Sequence, residues 1–207
     1  MNQPNQPNQP NQAQLSVGFA DPVHGAQQAF RCVLNALSRP GQRFSMGSPI
    51  KGLSLGAAMS HALLTLTDDD TAVWWQAPSS ASENWLRFHT GAQRTATAQK
   101  AAFAVLLNAG ALPLLNTFAI GTVEAPERAA TLLIEVPSLD SGPAVEWRGP
   151  GVQHIEVVRI TGLPDDFWFQ WQANNASFPQ GLDIIFTCAD AVLGLPRTTH
   201  VRRLEGV

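Results

Sequence analysis

The chain predicts an α/β domain in which a mixed sheet is covered by helices in three layers. Two observations carry that expectation. Short apolar runs bounded by turn residues recur from residue 72 to residue 195, and stretches with three- and four-residue apolar spacing stand before and among them. A third sets the scale: 207 residues with 44% hydrophobic and 14% charged content suffice for one sizeable core.

In chain order, residues 1–14 (MNQPNQPNQPNQAQ) repeat Asn-Gln-Pro. Prolines deny backbone donors and the amides offer no face to bury, which predicts a disordered tail ahead of one domain over residues 15–207. Asp21-Pro22 reads as an N-cap with proline at the first helical position. Val23, Ala26, Phe30, Val33 and Leu37 then carry a helix to about Ser38, stopped by Arg39-Pro40-Gly41. Ser54 reads as the cap of a second helix over Leu55 to Leu66. Strand character follows at Ala72–Trp75, Trp85–His89, Phe103–Leu107, Leu132–Val136, Ala144–Trp147, Ile155–Ile160, Ile184–Thr187 and Ala191–Leu195, with helical character at Leu112–Phe118 and Asp165–Asn174.

Composition excludes several roles. A formal net charge of −3 without a basic block argues against a nucleic-acid partner. No apolar run reaches a membrane span, and the N-terminus lacks the features of a signal peptide, so the expected location is cytoplasmic. Cys32 and Cys188 are too few and too far apart for a disulfide framework or a cysteine metal motif, and both read as reduced, buried thiols.

Familiar catalytic signatures are absent or poorly set. Gly52-Leu53-Ser54-Leu55-Gly56 has the spacing of a nucleophile elbow without a core strand before it, and Ser48-Pro49-Ile50-Lys51 lacks the companion motifs of its class. His24, His61, His89, His154 and His200 show no metal-ligand pairing, and no phosphate-cradling glycine loop is present. Arginine outnumbers lysine eleven to two, which suits bidentate contacts to phosphate or carboxylate but equally reflects codon bias. Phe167-Trp168-Phe169-Gln170-Trp171 holds more aromatics than one helix stripe needs; core packing and a partner surface both account for it.

Ordered blocks along the chain carry a resemblance. They are Gly18-Phe-Ala-Asp-Pro-Val23 leading to Arg39-Pro40-Gly41, Trp85-Leu-Arg-Phe-His-Thr-Gly91, the GTVEAPERAATLLIEV segment from Gly121, Gly149-Pro-Gly151, Phe167-Trp168 with Trp171, Asn174 and Phe178-Pro179, and Leu195-Pro-Arg-Thr-Thr199. Together, over residues 16–201, they resemble the PhnH family, one of the components of the bacterial carbon–phosphorus lyase system. Where the family's Gly-Thr segment carries a tyrosine and a serine, this chain has Ala125 and Ala129. The resemblance implies a fold similar to the large domain of pyridoxal-phosphate-dependent transferases, a homodimer, and assembly with the system's G, I, J and K subunits. It also implies participation in attaching a phosphonate to the ribose of ATP. No cofactor is expected, because the only lysines for a Schiff base, Lys51 and Lys100, lack a cofactor setting.

The candidate ligand residues are Arg197 and Thr198, where Pro196 withdraws the chain from a strand, joined by Arg87, His89 and Thr90 after another strand. Such a donor cluster suits a phosphate or phosphonate oxyanion. The alternative for Arg197 is a structural ion pair with Asp183 or Asp21. Two function classes stand side by side: an assembly subunit, or an enzyme using the Arg/His/Thr group in ribosyl transfer.

Overall fold

The computed structural model describes residues 16–204, so the tail expected over residues 1–14 lies outside the described residues. In chain order the elements are α1 (Pro22–Ser38), β1 (Arg43–Ser45), α2 (Ala57–Leu66), β2 (Ala72–Trp75), α3 (Ser80–Thr90), β3 (Gln93–Arg94), β4 (Phe103–Leu106), β5 (Thr131–Glu135), β6 (Ala144–Arg148), β7 (Glu156–Arg159), α4 (Phe167–Ala176), β8 (Asp183–Cys188), β9 (Ala191–Leu195) and β10 (His200–Arg203). A seven-stranded sheet runs β1-β9-β8-β5-β4-β2-β3, and a separate three-stranded sheet runs β10-β6-β7. In the large sheet β8, β5, β4, β2 and β3 are parallel, while β9 and β1 add antiparallel pairings. The α/β class with a mixed sheet is therefore observed, with a second, antiparallel sheet that the sequence did not separate from the first.

Burial on both faces explains the apolar runs of the central strands. Leu132 and Ile134 point into one core and Leu133 into the other; Ile184 and Phe186 oppose Ile185 in the same way, as do Ala104 and Leu106 against Val105. Period-two alternation between two apolar layers leaves no polar position inside such a strand. On one face the sheet packs against α1, α2 and α3, which contribute Val33, Met59, Leu63 and Trp85; on the other, α4 and the small sheet contribute Trp171, Trp147 and Val158. α1 lies unusually close to β9: a Cβ on Gly194 would meet the Ala36 carbonyl oxygen at 2.5 Å, so only glycine admits this approach.

Several local expectations need correction. Trp85–His89 is not a strand but the second half of α3, whose N-cap Ser79 accepts from the Ser82 amide and whose C-terminus closes on Gly91 at φ 82. Bulky β-formers obscured the bracketing serine and glycine. α2 starts two residues later than expected, with Gly56 as an N-cap lacking any side-chain bond; Ser54 instead lies 3.5 Å from the Ser82 hydroxyl. Leu112–Phe118 forms only a short 3-10 turn at Leu115–Thr117. Cys32 and Cys188 are free but half-buried rather than buried.

Candidate functional site

The β8–β9 hairpin places Arg197. Its two-residue connection, Ala189-Asp190, sets Cys188 opposite Ala191 and Ile184 opposite Leu195, so the next step beyond Leu195 lands beside Asp183. There the Arg197 amide donates to Asp183 Oδ1 at 2.7 Å, Nε donates to both carboxylate oxygens at 3.2 and 3.1 Å, and Nη2 donates to Oδ2 at 2.5 Å. Nη1 donates to the carbonyl oxygens of Pro126 at 2.8 Å and Pro179 at 3.3 Å. The pair is largely buried, with side-chain exposures of 14% and 24%. Nε, Nη1 and Nη2 all find acceptors within the protein, and the guanidinium ties the start of β8 to two loops. Asp21, the other partner considered, caps α1 instead, accepting from the Val23 and His24 amides and pairing with the His24 ring.

Thr198 is half-buried beside Arg197, and the following Thr199 is buried with its carbonyl accepting from Trp171 Nε1 at 2.9 Å. That bond, with Phe167 and Trp168 also buried, assigns most of the aromatic cluster to the core. Phe169 alone is exposed, beside a groove of about 240 Å³ between α4 and Leu114.

Arg87, His89 and Thr90 do not join Arg197. Four strand spacings separate β9 from β2, about 19 Å across the sheet, and α3 lies over the β2–β3 edge on the α1–α2 face. His89 Nε2 bonds the Ser16 carbonyl at 3.0 Å and its ring packs edge-on against Trp85 and Phe88, pinning the segment that enters the domain. Thr90 Oγ1 donates to Leu86 O at 2.9 Å and accepts from Thr67 Oγ1 and the Ala92 amide. Of the three, only Arg87 has a side chain without a hydrogen-bond or ion-pair partner among the described residues; it lines a polar cavity of about 340 Å³ under α3, together with Arg94 and Glu83.

A further crevice lies at the carboxyl ends of the parallel strands, where open α/β sheets commonly bind ligands. Here Gln76, following β2, is laced to the β4 end by bonds to Asn108 and Ala111, and Glu135 closes β5 beside a cavity of about 290 Å³. The Glu135 carboxyl rests against the start of α2: a Cβ on Gly56 would meet Oε1 at 2.9 Å. Burial pushes its carboxyl above the ordinary glutamate value. Its signal in the sequence is the single acid ending the apolar run Thr131-Leu-Leu-Ile-Glu135.

Metal and nucleophile readings find no geometry. Among the described residues no group of three metal-ligating side chains converges, and His61 is buried with Nδ1 on the Met46 carbonyl. Lys51 and Lys100 are both exposed and line none of these cavities, so neither fits a Schiff-base lysine for pyridoxal phosphate. No helix among the described residues is long and apolar enough to cross a membrane.

Comparison with known proteins gives these positions their family. Residues 17–202 match the model of the family described as bacterial phosphonate metabolism protein (PhnH). The chain is 42% identical over 192 residues to the alpha-D-ribose 1-methylphosphonate 5-triphosphate synthase subunit PhnH of Rhizobium meliloti (strain 1021), covering 91% of this chain and 96% of that one. It is 33% identical over 175 residues, 84% of this chain and 85% of the relative, to a protein of Stutzerimonas stutzeri named as the C-P lyase subunit protein HtxG. The chain belongs to the PhnH family of bacterial phosphonate metabolism proteins.

Proposed function

We propose that this chain is an assembly subunit of a ribose 1-methylphosphonate 5-triphosphate synthase, needed for phosphonate catabolism without itself carrying out the ribosyl transfer. Kinship along nearly the whole length of the Rhizobium meliloti subunit supports the complex. One observation favours assembly over catalysis. The Arg/His/Thr group expected to act together is dispersed: the Arg197 guanidinium is engaged by Asp183, Pro126 and Pro179, and His89 and Thr90 are engaged by the backbone. No nucleophile–base–orienter constellation replaces it among the described residues.

The same reading includes a cytoplasmic homodimer, a fold akin to the large domain of pyridoxal-phosphate transferases, and contacts with the G, I, J and K subunits. It takes residues 15–207 as one folding unit and the Asn-Gln-Pro tail as dispensable. Co-expression with tagged partner subunits, followed by size-exclusion chromatography, tests it. Stoichiometric co-elution, with no turnover of ATP and methylphosphonate by the isolated chain, is the expected outcome. Turnover by the isolated chain would replace the assembly reading with a catalytic one, and failure to co-elute would remove the complex.

A further inference from the structure

Phe169 stands apart from its neighbours on α4. Phe167, Trp168 and Trp171 are buried, yet Phe169 is 75% exposed, more than any other large hydrophobic side chain among the described residues. Leu114, 54% exposed, lines the same groove of about 240 Å³ from its other wall. A ring and an aliphatic chain left in water beside an apolar groove mark a surface that a partner covers.

The kind of partner follows from what the walls still offer. The polar side chains of α4 that line the groove are already engaged. Gln170 accepts from the Leu115 amide at 2.8 Å and donates to Asp166 Oδ2 at 2.9 Å, Asn174 bonds both the amide and the carbonyl of Leu182, and Ser177 donates to the Ala173 carbonyl. Among the lining side chains only the exposed Asn116 amide, on the opposite wall, has no partner among the described residues. A phosphate, nucleotide or sugar would lose its hydration there without finding donors in return. The walls are a helix and the turn at Leu115–Thr117, so no strand edge is offered to an extended peptide. A partner helix needs neither, because its backbone is satisfied within itself. From Phe169 to Ser177 the groove follows α4 for about 12 Å, a little over two turns, which admits apolar anchors at three- and four-residue spacing.

Charge gives that helix a direction. No charged side chain lines the groove, but Asp165 and Asp166 stand exposed at the start of α4, and Asp166 is tied to the groove through Gln170. Neither carboxylate has a cationic partner among the described residues; Arg203 reaches the Asp165 backbone carbonyl, at 3.4 Å. The complementary occupant is apolar along its ridge and basic at the end beside Asp166. A second copy of this chain fits poorly. Its exposed apolar helix flank, Val23, Phe30 and Leu34 of α1, lies on the opposite face of the sheet, so seating it in the groove makes a head-to-tail contact rather than a two-fold dimer.

We infer that the groove between α4 and Leu114 is the docking site for an amphipathic helix of a partner subunit, its apolar ridge seated on Phe169, Ala173 and Leu114 and its basic end beside Asp166. The site rests on the assembly reading of the chain and assigns that assembly a face.

Co-expression of the full chain with tagged partner subunits, with Phe169, Ala173 or Leu114 replaced in turn by p-benzoylphenylalanine for photocrosslinking, tests the assignment. Cross-links are expected on partner residues that recur at three- and four-residue spacing, in a stretch with Lys or Arg at one end. Phe169→Asp should cut co-elution about tenfold or more while leaving the melting temperature unchanged, because the side chain it removes is exposed. Phe88→Asp, at a position 67% exposed on α3, should leave co-elution intact. Failure of the unmodified chain to co-elute would remove the assembly reading and this site with it. Where the unmodified chain does co-elute, equal retention of Phe169→Asp, absence of cross-links, cross-links at two-residue spacing, or cross-links to a second copy of this chain would each overturn the docking site and leave the assembly reading in place.

Discussion

Two arginine environments at the amino end of the parallel strands show what an arginine is for. Arg197, beyond β9, has its guanidinium filled by a carboxylate and two carbonyl oxygens, and it is mostly buried. Arg87, on α3 at the opposite edge, is exposed, has no partner among the described residues, and faces a cavity beside a second arginine. Both follow apolar segments in the sequence, and both carry the same planar fork. What separates them is donor saturation: a filled guanidinium fastens the protein to itself, whereas an open one beside a cavity is available to something else.

The largest effect should come from Asp183→Ala, which leaves a mostly buried guanidinium without its counter-charge and also removes the acceptor of the Arg197 amide. A loss of about 3 kcal/mol in urea unfolding is expected. Arg197→Lys comes next. An ammonium keeps the charge but cannot reach Asp183, Pro126 and Pro179 together, and about 1–2 kcal/mol should be lost. A lysine variant as stable as the parent would show that the filled geometry contributes little, and the contrast between the two sites would collapse.

How far this was legible differs between the two ends. The β8–β9 hairpin could be read from its apolar runs and tight connection, and from there Asp183 as a partner of Arg197 follows by register. The α3 end could not. Trp85-Leu-Arg-Phe-His looks like a strand because bulky residues favour pleated surfaces, and the helix signals, Ser79 and Gly91, lie outside that stretch. Read as a strand, it placed Arg87, His89 and Thr90 on one sheet end with Arg197; as a helix, it turns Arg87 toward Glu83, one turn earlier on α3. β1, β3 and β10 leave no trace in the sequence because they are short, polar and largely exposed, so no apolar alternation marks them. Two-sided burial made β4, β5 and β8 the clearest elements. Glu135 carries no sequence signature, because one acid at a strand end has no motif around it.

Glu135 sharpens the comparison from the carboxyl end of the same sheet, as a charged group with no arginine to fill it. Burial raises its carboxyl in the folded state above the unfolded value. Between those two values the folded protein retains a proton that the unfolded chain has released, so stability should fall as pH rises through that window and remain lower at neutral pH. Glu135→Gln should flatten that fall and gain stability at pH 7, by less than about 1 kcal/mol given the partial exposure of the group. Unfolding midpoints of the two proteins from pH 4 to pH 8 check this; a Gln variant less stable at pH 7 would mean the carboxylate is held by contacts stronger than its desolvation.

The smallest effect on folding is expected at the open arginine. Arg87→Ala should change unfolding free energy by no more than about 0.5 kcal/mol, because an exposed side chain with no partner leaves nothing buried behind. A larger loss would indicate that Arg87, like Arg197, fastens the fold.

Phosphonate-dependent growth at matched soluble protein levels compares the two arginines most directly, in cells whose only copy of this subunit is Arg197→Ala or Arg87→Ala. Donor saturation predicts that growth of the Arg197→Ala strain follows the amount of folded subunit and recovers when expression is raised, while the Arg87→Ala strain has full protein and a growth defect that added protein does not cure. A folded, abundant and assembled Arg197→Ala subunit that fails to support growth, beside an Arg87→Ala subunit that supports it fully, would contradict the account.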